Sequence, residues 1–115
     1  MARNRYYIAV ADLARARGID QRFAWTGVDP QDFAGALQRA LRTDELFGQW
    51  RAVQDDPDAV DEAIAASDPE ATVSARVADL HTEVELVTDL PMRVVRHRLN
   101  MLIGANWTLR DMRAA

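Results

Sequence analysis

The chain has 115 residues, a length that suits a single domain. Hydrophobic residues make up 49% of it and charged residues 28%, which is typical of soluble globular proteins and excludes a disordered chain. The sequence has no cysteine, and all 14 of its basic residues are arginine. These absences exclude disulfides, thiolate nucleophiles, cysteine-ligated metals and Schiff-base chemistry on lysine. We therefore expect one domain over residues 1–115 with a core of its own.

The sequence predicts a cytoplasmic protein. No segment approaches the roughly 18 consecutive apolar residues that a membrane span requires. The start of the chain is basic, as in a signal peptide, but the apolar run over residues 6–11 is followed at once by Asp12, Arg15 and Arg17. A signal peptide needs a longer uninterrupted apolar region.

The N-terminal segment has two interpretations. Apolar residues from Tyr7 to Ala14 recur at helical spacing, which predicts a helix that ends at Gly18. Residues 6–10 also fit a short strand, and the sequence leaves both open.

Helix start signals recur along the chain. An Asp side chain caps the first N–H groups of a helix, and proline suits the first helical position. The sequence has three such pairs and one further proline two residues after an Asp: Asp29-Pro30, Asp56-Pro57, Asp68-Pro69 and Asp89-Leu90-Pro91. We predict that a helix begins at each of these prolines, and that Thr43 caps another helix containing Phe47 and Trp50.

The longest predicted helix covers about residues 69–88. Its apolar residues are spaced by 4, 3, 4 and 3 positions, which favours one face of a helix: Val73, Val77, Leu80, Val84 and Val87. A second helix over about residues 91–104 is predicted to end at Gly104, and a short capped helix is predicted from Thr108. Because the connection between the two long helices is short, we expect an antiparallel helical hairpin. The predicted fold is all-α, a compact bundle of roughly five to seven short helices.

Charge is distributed unevenly along the chain. Residues 1–28 carry five Arg and two Asp, residues 29–89 carry four Arg and 15 acids, and residues 90–115 carry five Arg and one Asp. The net charges of these segments are +3, −11 and +4. The basic ends either fold back on the acidic middle or bind an external acid, such as a protein surface or a nucleic acid.

The C-terminal segment, residues 93–113, is the strongest candidate for a contact surface. The segment is predicted to contain a helix, a glycine turn and a second short helix. This arrangement fits a helix-turn-helix DNA-binding motif, and it fits equally well a helical hairpin with a docking helix. Arginine and tryptophan are enriched at binding interfaces. We predict a partner-binding role for Arg93, Arg96, Arg98, Trp107, Arg110 and Arg113.

Catalytic chemistry has little support in the sequence. Ser67 and Ser74 are the only serines, and no Gly-x-Ser-x-Gly motif or glycine-rich phosphate loop occurs. His81 and Glu85 have the i,i+4 spacing of two metal ligands on a helix, and equally of an exposed side-chain pair. We predict no catalytic residue, no metal and no cofactor.

These observations favour a non-enzymatic small helical protein-interaction or regulatory module. Its predicted partner is another protein or a second copy of the chain as a homodimer, and its contact elements are the predicted helix over residues 69–88 and the Arg-rich C-terminal segment. The alternative is a small DNA-binding regulator that uses residues 93–113. A third hypothesis is an enzyme or accessory subunit with a pocket near His81 and Glu85.

Overall fold

The computed structural model describes residues 2–115. Within this range the chain forms four strands, β1 (Asn4–Val10), β2 (Thr72–Ala78), β3 (His81–Thr88) and β4 (Thr108–Ala114). It also forms three α-helices, α1 (Pro30–Arg42), α2 (Glu45–Ala52) and α3 (Met92–Ile103), and short 3₁₀ turns at Leu13–Arg15, Pro57–Ala59 and Glu62–Ala65. The predicted all-α bundle is therefore wrong, because the fold combines helices with a β-sheet.

The four strands form one antiparallel sheet in the order β2-β3-β1-β4. Helices α1 and α3 contact each other, and their buried residues join those of β1 and β3 in a single core. Side chains of Tyr6, Ile8 and Val10 are buried on this face, while those of Arg5 and Tyr7 lie on the opposite face and are only partly buried. One face of the sheet therefore carries the helices, and the other is open.

The predicted long helix over residues 69–88 is wrong, and so is the predicted helical hairpin with residues 91–104. Residues 72–88 instead form the β2–β3 hairpin, whose turn contains Asp79 at a φ of 55°. In β3 the residues Thr82, Val84, Leu86 and Thr88 are buried and the residues between them are not. This strict alternation and the β-branched composition favour a strand, and pairing with a neighbouring strand stabilises it. Together they outweigh the helical spacing of the apolar residues.

Both ends of the chain contribute strands rather than helices. The strand interpretation of residues 6–10 is confirmed by β1, and the helix predicted to end at Gly18 is wrong. The short helix predicted from Thr108 is also wrong, since residues 108–114 form β4, which pairs with β1 on both sides of a bulge. Pairing with another strand thus overrides the weak local preference of both segments.

Two of the predicted helices, α1 and α3, are confirmed, the first with its predicted N-cap and the second with its predicted terminal glycine. The Asp29 carboxylate accepts a hydrogen bond from the N–H of Gln31 at 2.8 Å, and Pro30 is the first residue of α1. Helix α3 ends at Gly104, which has a φ of 64° that favours glycine. None of the helices within residues 2–115 combines the length and apolar composition that crossing a membrane requires.

Candidate functional site

The basic ends of the chain fold back on the acidic middle at several points. Arg3 forms an ion pair with Asp68 at 2.7 Å, and Arg93 forms one with Asp61 at 2.9 Å. Arg5, on β1, forms a third with a glutamate of β3 at 2.7 Å. These contacts neutralise part of the charge asymmetry inside the protein and leave fewer arginines available to a partner.

Arg98, one of the predicted contact residues, is fully buried. Its guanidinium donates hydrogen bonds to the carbonyls of Ala40 and Ala66, each at 3.2 Å, and lies 4.9 Å from the centre of the Phe47 ring. Burial lowers the pKa of Arg98 to about 10. Because the carbonyl of Ala40 lies in the last turn of α1, Arg98 caps the negative end of that helix from inside the protein. The structure thus places this arginine in the interior, where it joins α3 to α1 and to the segment before β2.

His97 lies beside Arg98 and shares its environment. Its Nδ1 is 3.2 Å from the Arg98 guanidinium, and its ring makes an edge contact with Trp50 at 4.4 Å between centroids. Burial and the neighbouring positive charge lower the pKa of His97 to about 4. The imidazole is therefore neutral at physiological pH and accepts from the guanidinium.

The remaining predicted contact residues lie on different elements. Arg96 is exposed on α3, and Trp107 is partly buried with its Nε1–H donating to the side chain of Asn100 at 3.0 Å. Arg110 and Arg113 lie on β4, so the second helix of a helix-turn-helix is replaced by a strand. The structure brings Arg110 and Arg113 together on one strand, but it does not gather the six residues into one exposed cluster.

Strand β4 is the most exposed element of the fold. It forms one edge of the sheet, and all seven of its residues are exposed. Leu109 and Met112 align with the core residues Ile8 and Tyr6 of β1 but remain 40% and 51% exposed. The register shifts near Arg110, which forms a bulge, while residues 111–114 pair regularly with β1. An edge strand with exposed apolar side chains is a template for pairing with another strand.

The opposite edge of the sheet, β2, is protected. The N–H of Val73 donates to Oε1 of Gln38 at 3.0 Å, and the carbonyl of Ala75 accepts from Nε2 of Gln31 at 2.8 Å. Arg42, also on α1, donates to the carbonyl preceding β2 at 2.6 Å. Helix α1 thus occupies backbone groups along this edge, whereas within residues 2–115 no side chain from another element bonds to the backbone of β4.

The open side of the sheet carries charged side chains and a shallow cavity of about 300 Å³. We call this side the polar face; its main residues are Arg5, Tyr7, Ser74, Arg76, His81, Glu83, Glu85, Arg110, Asp111 and Arg113. Its acids are paired across or along the strands, with Arg76–Glu83 at 2.5 Å and Arg113–Asp111 at 2.8 Å. The Arg113 guanidinium and the N–H of Met112 hold the pKa of Asp111 below its usual range.

The predicted pair of His81 and Glu85 lies on β3 rather than on a helix. Nε2 of His81 is 3.5 Å from the carboxylate of Glu83, and Glu85 is held by Arg5. Across residues 2–115, no group of three or more His, Asp or Glu side chains is arranged to hold a metal ion.

Neither the two edges of the sheet nor the polar face is among the features predicted from the sequence. The polar face had a signal, because the charged residues Glu83 and Glu85 alternate with apolar ones in β3. The protection of β2 by Gln31 and Gln38 had no local signal, since both contacts join residues far apart in sequence. Comparison with known proteins adds no further assignment, since no family model, curated protein or solved structure matches the chain.

Proposed function

We propose that this protein is a non-enzymatic protein-interaction module that binds its partner by adding a strand to β4. The observation that carries the proposal is the contrast between the two edges of the sheet. Side chains of α1 occupy the edge of β2, while β4 presents its backbone and seven exposed residues. Strand addition to such an edge supplies main-chain hydrogen bonds for affinity and alternating side chains for specificity.

The side chains of β4 offer different chemistry to the two faces of an added strand. Asp111 and Arg113 lie on the polar face and present one charge of each sign. Leu109 and Met112 lie on the helix side and remain exposed there. A partner strand with an alternating charged and apolar pattern would complement both faces.

Protein is favoured over DNA as the partner because few arginines of the C-terminal segment are free. Arg98 is buried, and Arg93 and Arg113 are paired with acids. Of the arginines in residues 93–113, Arg96 and Arg110 form no ion pair with an acid in the part of the chain that the structure describes. Phosphate binding depends on several such cations acting together.

We propose the cytoplasm as the compartment. The apolar segment that most resembles a targeting signal, residues 6–11, contains most of β1. This strand lies between β3 and β4 and belongs to the core, which supports its retention in the working protein.

A photo-crosslinking amino acid in place of Met112 is expected to form a covalent adduct in cells that naturally contain the protein. The same group in place of Val77 is the matched control, because Val77 lies on the other edge strand and is 64% exposed. We expect an adduct from position 112 and none from position 77, measured by electrophoresis and mass spectrometry. Adducts of equal yield from both positions, or none from position 112, would refute strand addition at β4.

A further inference from the structure

We infer that the strand added to β4 is β4 of a second copy of this chain, which makes a continuous eight-stranded sheet across a two-fold axis. This inference rests on the proposed strand addition and names its partner. It follows from the side-chain order of β4, from the direction of its backbone groups and from the symmetry of a dimer.

Symmetry permits few registers for this pairing. Two copies of β4 run antiparallel when the two-fold axis is perpendicular to the sheet. Such an axis keeps each side chain on its own face of the sheet. Residues directly opposite each other share a face, whereas successive residues of a strand alternate between faces, so the axis cannot pass between two residues. One residue must therefore lie opposite its own copy at the axis.

The charges of β4 favour one of these registers, because only an axis at Met112 sets opposite charges of the two copies against each other. An axis at Arg110, Asp111 or Arg113 sets a residue against an identical charge, which is destabilising. An axis at Met112 sets the two Met112 side chains against each other and each Asp111 against Arg113 of the second copy. Two opposite-charge pairs then lie on the polar face, and two apolar side chains lie on the helix side.

The backbone of β4 is oriented for the same register. The N–H of Ala115 donates to the carbonyl of Arg3 at 3.0 Å, and alternate residues of a strand point to opposite edges. Arg113 therefore bonds towards β1, while the backbone groups of Met112 and Ala114 point away from it. The outward N–H of Met112 is held by the carboxylate of Asp111 at 2.8 Å. In the dimer the Met112 carbonyl of the second copy accepts this N–H, which releases Asp111 to pair with Arg113 across the axis.

The size of the contact indicates a weak dimer. The regular part of β4 covers residues 111–114, so the ladder across the axis is short. Stable complexes bury about 1,200–2,000 Å² in total, and a single pair of short strands buries less. We therefore expect a dissociation constant in the micromolar range.

Charge reversal tests the partner and the register together. Asp111→Arg sets arginine against arginine in both pairs, and Arg113→Asp sets aspartate against aspartate. We expect each single variant to weaken the dimer by about tenfold or more, and the double variant to restore it to within about threefold of the original, measured by sedimentation equilibrium. Thermal melts check the fold, which we expect both exposed substitutions to preserve. Failure of the double variant to restore the dimer, or an original chain that is monomeric up to about 500 μM, overturns the inference.

A single-cysteine crosslink tests the position of the axis. The chain has no cysteine, so Met112→Cys introduces one thiol per copy. At the axis the two Cα atoms would lie about 5.5 Å apart, within disulfide range, whereas those of an Ala114→Cys control would lie about 14 Å apart. Mild oxidation is expected to give a covalent dimer with Met112→Cys alone.

A photo-crosslink from position 112 to a different protein, with no self-association, would retain strand addition and overturn the dimer.

Discussion

Arg98→Ala is expected to lower the free energy of unfolding by about 3–5 kcal/mol. The substitution removes the donors to the carbonyls of Ala40 and Ala66 and the contact with the Phe47 ring. It also leaves a cavity at a position that is 0% exposed. The Ala40 carbonyl belongs to the last turn of α1, and without Arg98 it would be buried and unpaired.

Urea unfolding of Arg98→Ala and Arg96→Ala provides the measurement and its control. Arg96 is exposed two residues earlier on the same helix, and its removal is expected to change the unfolding free energy by less than about 0.5 kcal/mol. Arg98→Lys retains the charge but not the planar fork that reaches two carbonyls, so we expect an intermediate loss. Equal stability of Arg98→Ala and Arg96→Ala would show that the buried guanidinium does not hold α1 to α3.

Asp68→Asn is expected to cost about 3 kcal/mol. The carboxylate of Asp68 is 4% exposed and accepts from the Arg3 guanidinium, the Thr88 hydroxyl and the N–H groups of Glu70 and Asp89. An Asn side chain at this position would either turn its NH₂ group towards these four donors or lose the hydrogen bonds that they make. Glu70→Gln, an exposed substitution that keeps the backbone bond to Asp68, is the matched control and is expected to be close to neutral.

The Asp68 effect should also depend on pH. Burial alone would raise the pKa of Asp68, but its hydrogen bonds from Thr88, Glu70, Arg3 and Asp89 outweigh burial and hold the pKa below its usual value. The folded state thus binds this proton less readily than the unfolded state, so the stabilisation is complete above about pH 4 and declines as pH falls through the folded pKa. The stability difference between the original chain and Asp68→Asn should therefore narrow below about pH 4. A difference that stays constant or widens in acid would contradict this account.

The sequence predicted the helices that carry their own local signals. Asp29 and Pro30 begin α1 and Gly104 ends α3, and the physics of these caps is contained within a few residues. The sequence of the β2–β3 hairpin also fits a helix, because residues four apart, such as Val73 and Val77, share a face in either structure. Alternation in β3 was the sharper signal, since it fits a strand and no helix.

The candidate site was only partly predictable. The charge asymmetry pointed to Arg110 and Arg113, and both lie on the exposed strand β4. The charge asymmetry pointed equally to Arg98, because no local pattern distinguishes an arginine that caps a distant helix from one that faces solvent. Whether an edge is open or protected depends on contacts such as that of Gln38 with Val73, which only the folded chain creates.

Amide hydrogen exchange at two protein concentrations tests most directly whether β4 pairs with β4 of a second copy. The Val73 amide is bonded to Gln38, whereas the Met112 amide points outward from β4 and is held by the exposed carboxylate of Asp111 on the same strand. We predict that Val73 is protected equally at low and high concentration, and that protection of Met112 increases with concentration as the second strand is added. Exchange of Met112 that does not change with concentration, or a concentration-dependent Val73, would contradict the dimer.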